Sequence, residues 1–257
     1  MSDFQMGVVF VFGCLVGSFL NVCIYRLPRR LSVVRPGSHC PRCKTSIQMW
    51  ENIPILSYLI LRGRCRTCKA KIPLTYPLVE AITGTLLVLI WQHYGLSLSF
   101  VHYSILTLLL LPISFIDMNT KLILNVLTLP GIVAGLVLAA VVSHITVYQS
   151  LLGLLLGGGF LWLVGLVGET LFKQESMGGG DIKLGAMIGA FLGPEVLVAL
   201  FLAFFLALPV IAIGLGTKRL QVGSKLAFGP FISLAAVIIV CFGESLYYRY
   251  FELLGGF

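Results

Sequence analysis

Charge is what this chain has least of. Of its 257 residues only 11% are Asp, Glu, Lys or Arg, and just 10 are acidic. A soluble domain carries about a quarter charged residues, so this chain has too few to cover a water-exposed globule. The shortage excludes a soluble enzyme and a disordered chain. Seven cysteines are too few and too clustered for a secreted disulfide scaffold. A basic stretch ahead of the first apolar run is missing too: Asp3 stands there, and Arg26, Arg29 and Arg30 follow the run. The N-terminus is therefore expected to be a first membrane span that starts outside, not a cleavable signal peptide. No low-complexity tract or internal repeat is evident, and no Gly-rich nucleotide loop follows a strand.

What is abundant is apolar: 58% of the residues, with a mean hydropathy of +1.00. A bilayer core about 30 Å thick takes roughly 20 apolar helical residues to cross. Apolar runs occur at about 4–25, 78–94, 99–116, 123–142, 149–172, 182–192, 195–216 and 228–248. The sixth is short, and its separation from the seventh rests on Gly193-Pro194-Glu195. The excess of base, +8 overall, would hint at nucleic acid in a soluble protein; here it sets orientation instead, and no nucleic-acid partner is expected. With eight crossings, 11 basic residues fall in 26–77 and the others, Arg249 apart, fall in or beside loops on the same side. The expected fold is all-α and polytopic: a first transmembrane helix over 1–25, a small cytoplasmic insert over 26–77, and a seven-helix membrane domain over 78–257. Both termini lie outside.

The insert carries Cys40-Pro-Arg-Cys43 and Cys65-Arg-Thr-Cys68, two CxxC knuckles separated by 21 residues. Fifty residues seldom bury enough surface to fold without a metal or disulfides. Two such turns complete a closed four-thiolate zinc site, and the surrounding Arg and Lys favour thiolate. A pair of disulfides is the alternative, against the reducing cytoplasm that a basic loop faces. A closed site leaves no position for water, so this zinc is assigned to folding. His39 beside Cys40 is read as a bystander; Cys14, Cys23 and Cys241, inside spans, are read as packing residues.

Two acids lie within the apolar runs. Asp117 ends the third span and Asp181 opens the sixth, after Gly178-Gly179-Gly180. An intramembrane acid is a functional-site hypothesis by default. The topology sets both at the same membrane level, 64 residues apart in sequence. Two facing carboxyl groups share a proton rather than both ionise, which suits peptide-bond hydrolysis: one draws a proton from water, the other hydrogen-bonds the carbonyl. The glycines allow close approach of a substrate backbone. The plainer alternatives are an interfacial Asp117 paired with Lys121 and an Asp181 that caps its helix.

At these residues the chain resembles the bacterial type IV prepilin leader peptidase/N-methyltransferases, GxGD intramembrane aspartic proteases. The resemblance runs through Gly17-Ser18-Phe19-Leu20-Asn21-Val22, Arg26-Leu27-Pro28, both knuckles, Asn52-Ile53-Pro54 with Ser57, Gly63-Arg64-Cys65-Arg66 and Tyr76-Pro77-Leu78-Val79-Glu80. It continues through Asp117, Gly178-Gly179-Gly180-Asp181-Ile182-Lys183 and Phe228-Gly229-Pro230-Phe231. It implies a catalytic dyad of Asp117 and Asp181, with Gly178, Gly179, Gly180 and Lys183 around it. The activity implied is removal of a short basic leader from type IV prepilins and type II secretion pseudopilins, at the cytoplasmic face of the inner membrane. The new N-terminus is then methylated with S-adenosylmethionine. The chain departs from the family at Leu124-Asn125, where Pro-Asp is usual, which bears on the start of the fourth span.

Methyl transfer follows from the resemblance alone. Its chemistry needs little beyond orientation, because an α-amine with a pKa near 7.7–8 is partly neutral at cytoplasmic pH. Arg26, Arg30, Glu51, Asn52 and Glu80 are the candidate polar groups. The basic loops are expected to meet anionic lipid headgroups, leaving Glu51, Glu80, Glu169 and Glu175 to hold leader lysines. Two readings compete: a proton-coupled transporter using the two acids, and a membrane adaptor whose acids are structural.

Overall fold

Each long apolar run folds as a helix. The computed structural model describes residues 3–173, 177–217 and 226–253; Glu175, Lys218, Arg219 and Lys225 lie outside these. The helices are α1 (Asp3–Arg26), α2 (Leu56–Ile60), α3 (Thr75–Tyr94), α4 (Leu98–Thr120), α5 (Asn125–Ala139), α6 (Val147–Phe172), α7 (Gly179–Leu192), α8 (Val196–Gly216) and α9 (Gly229–Leu253). No strand occurs among the described residues, only two isolated bridges. Among the described residues four stretches are long and apolar enough to cross a membrane: Asp3–Arg29, Leu98–Thr120, Val147–Leu171, and Gly179–Gly216, the last taking α7 and α8 together. Asn125–Ala139 and Gly229–Gly243 are apolar but shorter. α7 and α8 are separate helices because Gly193, at φ +62°, ends α7 and Gly193–Glu195 makes a single 3-10 turn.

The chain divides into two compact units, residues 1–95 and 96–257. The division falls one helix further along than the expected start of a membrane domain at residue 78, because α3 packs on α1. Lipid supplies no hydrophobic drive for helix pairing, so helices adhere where small residues let their backbones approach. A Cβ on Gly13 would stand 2.7 Å from Gly84 Cα, and one on Gly17 would stand 2.8 Å from Glu80 Cα. Near the end of α1, Asn21 Nδ2 donates to the Tyr76 carbonyl at 3.0 Å, which fixes the register of this antiparallel pair.

In the second unit α7 is the axis. Leu184, Gly185 and every residue from Met187 to Leu192 are buried, as expected of a helix apolar all round. α6 runs antiparallel along it, Gly153 facing Gly189 and Gly157 facing Gly185 backbone to backbone. α5 runs parallel to it, with Gly135 against Phe191 and Gly131 against Met187. α4 is antiparallel: at one end His102 Nε2 donates to the Phe191 carbonyl at 2.9 Å, and its other end brings Asp117 to the start of α7. Along α8, Val198, Phe201, Phe205 and Leu208 are exposed, the surface a lipid-facing helix presents.

Candidate active site and metal centre

Asp117 sits in the last turn of α4, only 4% exposed. Its Oδ2 accepts a hydrogen bond of 2.9 Å from the Gly229 N–H at the start of α9. Among the described residues Lys121 makes no close ion pair with it, although its charge is near enough to act on the carboxyl group. Lys121 caps α4 in a left-handed conformation, its N–H on the Asp117 carbonyl at 2.8 Å. Asp181 is the third residue of α7, and the N-cap is Gly178. The helix end is thus capped by glycine, and Asp181 Oδ1 is buried with no hydrogen-bond partner among the described residues. Such an oxygen is costly to leave unsatisfied. The two carboxyl groups are near enough to interact electrostatically.

The three glycines are not equivalent. A Cβ on Gly180 would meet Ile123 Cβ at 2.8 Å and one on Gly178 would meet Asp181 Oδ2 at 3.0 Å, whereas one on Gly179 meets nothing within 4 Å. Ile123 also lies 3.3 Å from the Cβ position of Gly229, so this one side chain fills the space between the α7 and α9 starts. Lys183 Nζ donates to Asn125 Oδ1 at 2.9 Å. Asn125 is the first residue of α5, so a neutral acceptor at the start of that helix holds Lys183.

The four cysteines of the insert come together. Their sulfurs all lie within 4.8 Å of one another, with Cys40–Cys68 at 3.8 Å and Cys43–Cys65 at 3.9 Å. A tetrahedron with metal–sulfur bonds near 2.3 Å has edges of about 3.8 Å, so the set fits one four-coordinate ion, and all four thiols are free. Thr45, whose hydroxyl lies 3.3 Å from Cys43 Sγ, pulls that thiol down to about 6. The N–H groups of Cys68 and Thr67 lower Cys65. For Cys68 the Ala70 N–H favours the thiolate, but burial and the neighbouring sulfurs outweigh it and push the thiol up to about 11. His39 is not among the group; its Nδ1 donates to the Gly37 carbonyl at 2.9 Å.

The two knuckles are copies. Cys40 N–H bonds the Thr45 carbonyl and Lys44 N–H the Cys40 carbonyl, and Cys65 with Ala70 and Lys69 with Cys65 repeat both bonds at 2.9–3.0 Å. Lys44 and Lys69 are both left-handed, at φ +60° and +56°. The signal is in the sequence as Cys-x-x-Cys-Lys-x-x-Ile, at Cys40–Ile47 and again at Cys65–Ile72, so the chain does hold a short internal repeat, contrary to expectation.

The remaining polar candidates sit in the first unit. Arg26 is buried and donates to the Ser32 carbonyl at 2.8 Å and the Gly37 carbonyl at 3.3 Å, strutting the insert. Glu51 is engaged by Arg66 at 2.7 Å and by the Gln48 N–H at 2.8 Å. Glu80 is 7% exposed, with Oε2 on the Ile55 N–H at 2.8 Å. Asn52 and Arg30 are exposed, as is Glu169 on α6. Glu51 and Glu80 therefore already have partners within the insert and α3, while Glu169 is exposed.

The sequence profile of the bacterial peptidase A24 N-terminal domain matches residues 11–94, and that of the type IV leader peptidase family matches residues 104–248. The chain belongs to the type IV leader peptidase family. The two matched segments fall within the two compact units. Three relatives, each named prepilin leader peptidase/N-methyltransferase, are similar almost end to end. That of Neisseria gonorrhoeae is 36% identical over 96% of this chain and 94% of its own length. That of Pseudomonas putida is 35% identical over 95% and 93%, and that of Pseudomonas aeruginosa is 34% identical over 95% and 92%. No solved structure matches the chain. Within the family motifs, the reading of the sequence gave Phe228-Gly229-Pro230-Phe231 no role; the Gly229 N–H on Asp117 supplies one.

Proposed function

We propose that this chain is a membrane endopeptidase that removes the leader of type IV prepilins and then N-methylates the new N-terminus. Asp117 and Asp181 form the aspartic dyad. One carboxylate takes a proton from water, which attacks the scissile carbonyl; the other, protonated, hydrogen-bonds that carbonyl, and a proton then passes to the leaving amine. The Gly229 N–H orients Asp117, and Gly178, Gly179 and Gly180 lie beside Asp181, where a substrate backbone can approach. One observation carries the reading: α4 and α7 bring two acids to one end of a buried helix, where the Asp181 Oδ1 has no protein partner among the described residues.

The four cysteines hold zinc, in a closed set that serves folding rather than catalysis. S-adenosylmethionine supplies an electrophilic methyl group when bound, and Arg26, Glu51, Asn52 and Glu80 belong to the unit assigned to that step. Substrates include type II secretion pseudopilins alongside prepilins. The chain crosses the bacterial cytoplasmic membrane eight times, termini outside, with the dyad near the cytoplasmic face and the basic loops on anionic lipid. The relatives give no support to proton-coupled transport.

The test is intact-mass analysis of a full-length prepilin incubated with detergent-purified protein and S-adenosylmethionine. Wild type is expected to remove the leader and add one methyl, while Asp117→Asn and Asp181→Asn do not cleave. Cleavage by either variant, with its fold retained, would remove that residue from the dyad.

A further inference from the structure

A stripe of apolar side chains in the insert points away from the protein. Met49 is 93% exposed and Ile60 74%, and Trp50, Ile53, Leu56 and Leu59 are exposed with them. Leu56, Leu59 and Ile60 stand at i, i+3 and i+4 on α2, one face of a helix. Between them Ser57 and Tyr58 are half-buried, the Tyr58 ring against Gly63. A surface helix of a soluble domain has the reverse order, apolar face to the core. The level of this stripe is fixed by α3. Glu80 Oε2 accepts from the Ile55 N–H at 2.8 Å and so clamps the turn that starts α2. That turn is strained, with Ile55 at φ +62°, ψ −52°, a region β-branched residues hardly enter. Glu80 lies four residues along α3 from Tyr76, about 6 Å further in, and packs on Gly17 of α1. Beside Gly17, α1 still exposes Leu15 and Phe19. α2 therefore begins at the edge of the apolar band of its own two long helices, not out in water.

Charge says what covers the stripe. Residues 26–77 hold 11 Lys and Arg against Glu51 alone among acids, and Glu51 is taken by Arg66. Arg62, Arg64 and Lys69, just beyond α2, are exposed and form no ion pair among the described residues. An apolar stripe at the edge of the spans, followed by unpaired bases, matches an anionic lipid surface: acyl chains meet the stripe and phosphates meet the bases. Trp50 adds an amphipathic ring of the kind that gathers at this interface. We propose that residues 49–60 are an interfacial anchor. Their apolar stripe dips into the anionic cytoplasmic leaflet while Arg62, Arg64 and Lys69 hold the headgroups. The inference rests on the membrane topology proposed above. A groove on another protein would suit the apolar stripe, but not its level at the edge of the spans. The anchor adds a third attachment to the two that α1 and α3 provide, so the insert lies against the bilayer instead of extending from it.

Trp50 is itself the reporter. The full-length protein is reconstituted in phosphatidylglycerol and phosphatidylcholine vesicles, with Trp91→Phe and Trp162→Phe leaving Trp50 as its single tryptophan. Lipid brominated near the headgroup end of its chains is expected to lower Trp50 emission about twofold or more. In phosphatidylcholine alone the quenching is expected to weaken; equal quenching in both would overturn the part given to the bases. Leu59→Glu with Ile60→Glu puts two charges on the stripe. It is expected to remove most of the quenching while the melting temperature in detergent stays close to that of the parent; undiminished quenching would take α2 out of the contact and overturn the anchor. A second protein that keeps only Trp162, exposed on α6, reports on the spans themselves. Trp162 quenched by deeply brominated lipid with Trp50 unquenched would overturn the anchor and leave the membrane reading standing. Neither quenched would remove the membrane reading, and the anchor with it. Trp50 shielded from water only after a full-length prepilin is added would give the stripe to a protein partner and overturn the proposal.

Discussion

The Gly229 N–H donates to Asp117 Oδ2 at 2.9 Å, across a gap too narrow for a side chain: a Cβ on Gly229 would stand 2.7 Å from that same oxygen. The glycine is thus both a donor to the acid and the space beside it. Gly229→Ala is expected to displace the carboxylate and lower prepilin cleavage on the order of a hundredfold, the scale of losing one positioned donor. Its melting temperature should stay close to that of wild type. Cleavage at the wild-type rate would mean the contact does not orient the acid.

The glycines before Asp181 predict a contrast within three residues. Gly180→Ala meets Ile123 Cβ at 2.8 Å and must shift the start of α7, while Gly179→Ala meets nothing within 4 Å. The first is expected to lose cleavage and the second to keep a folded, metal-loaded protein with an undisturbed Asp181. Paired cleavage assays and melts of the two variants separate steric from purely conformational roles.

The α6–α7 pair predicts a stability effect far from the acids. Gly185→Val forces a branched side chain onto the Gly157 backbone, and overpacking of this kind costs about 1–3 kcal/mol or more. Gly159→Ala has open space at its Cβ and removes a mid-helix glycine, worth roughly 0.5–1 kcal/mol in favour of the helix. Thermal melts in one detergent should move in opposite directions.

Metal affinity in the insert is expected to fall with acid. Without metal, Cys43 titrates near 6 and Cys68 near 11, so at neutral pH one is a thiolate and the other a protonated thiol. Binding must displace the Cys68 proton, and affinity rises with pH by roughly tenfold per unit for each proton released. Chelator competition between pH 6 and 8 measures the slope. A flat profile would mean the thiols are already ionised.

Much of this protein is written plainly in the chain. The apolar runs mark the helices, because backbone groups in lipid must be satisfied within a helix. The paired CxxC spacing marks a candidate metal centre, because each such turn brings two sulfurs to one side of a single point. Asp117 and Asp181 stand out because acids in such runs are costly. Glu51 and Glu80 stood in the sequence only as candidate polar groups, with no partner in view. Arg66, fifteen positions from Glu51, and the Ile55 N–H, twenty-five from Glu80, engage them, and no local pattern announces either pairing.

The chain alone determined which segments are helical, which residues can ligate metal and which two acids are out of place, since each depends on composition and spacing. Tertiary structure decided how α4, α7 and α9 converge, so that one acid receives a backbone donor from 112 residues away while Asp181 Oδ1 has no partner among the described residues. It also decided that Glu80 clamps the strained turn at Ile55. The physical reason is that helix packing in this chain is set by glycines meeting backbone to backbone, and a glycine in sequence does not say which helix it will touch.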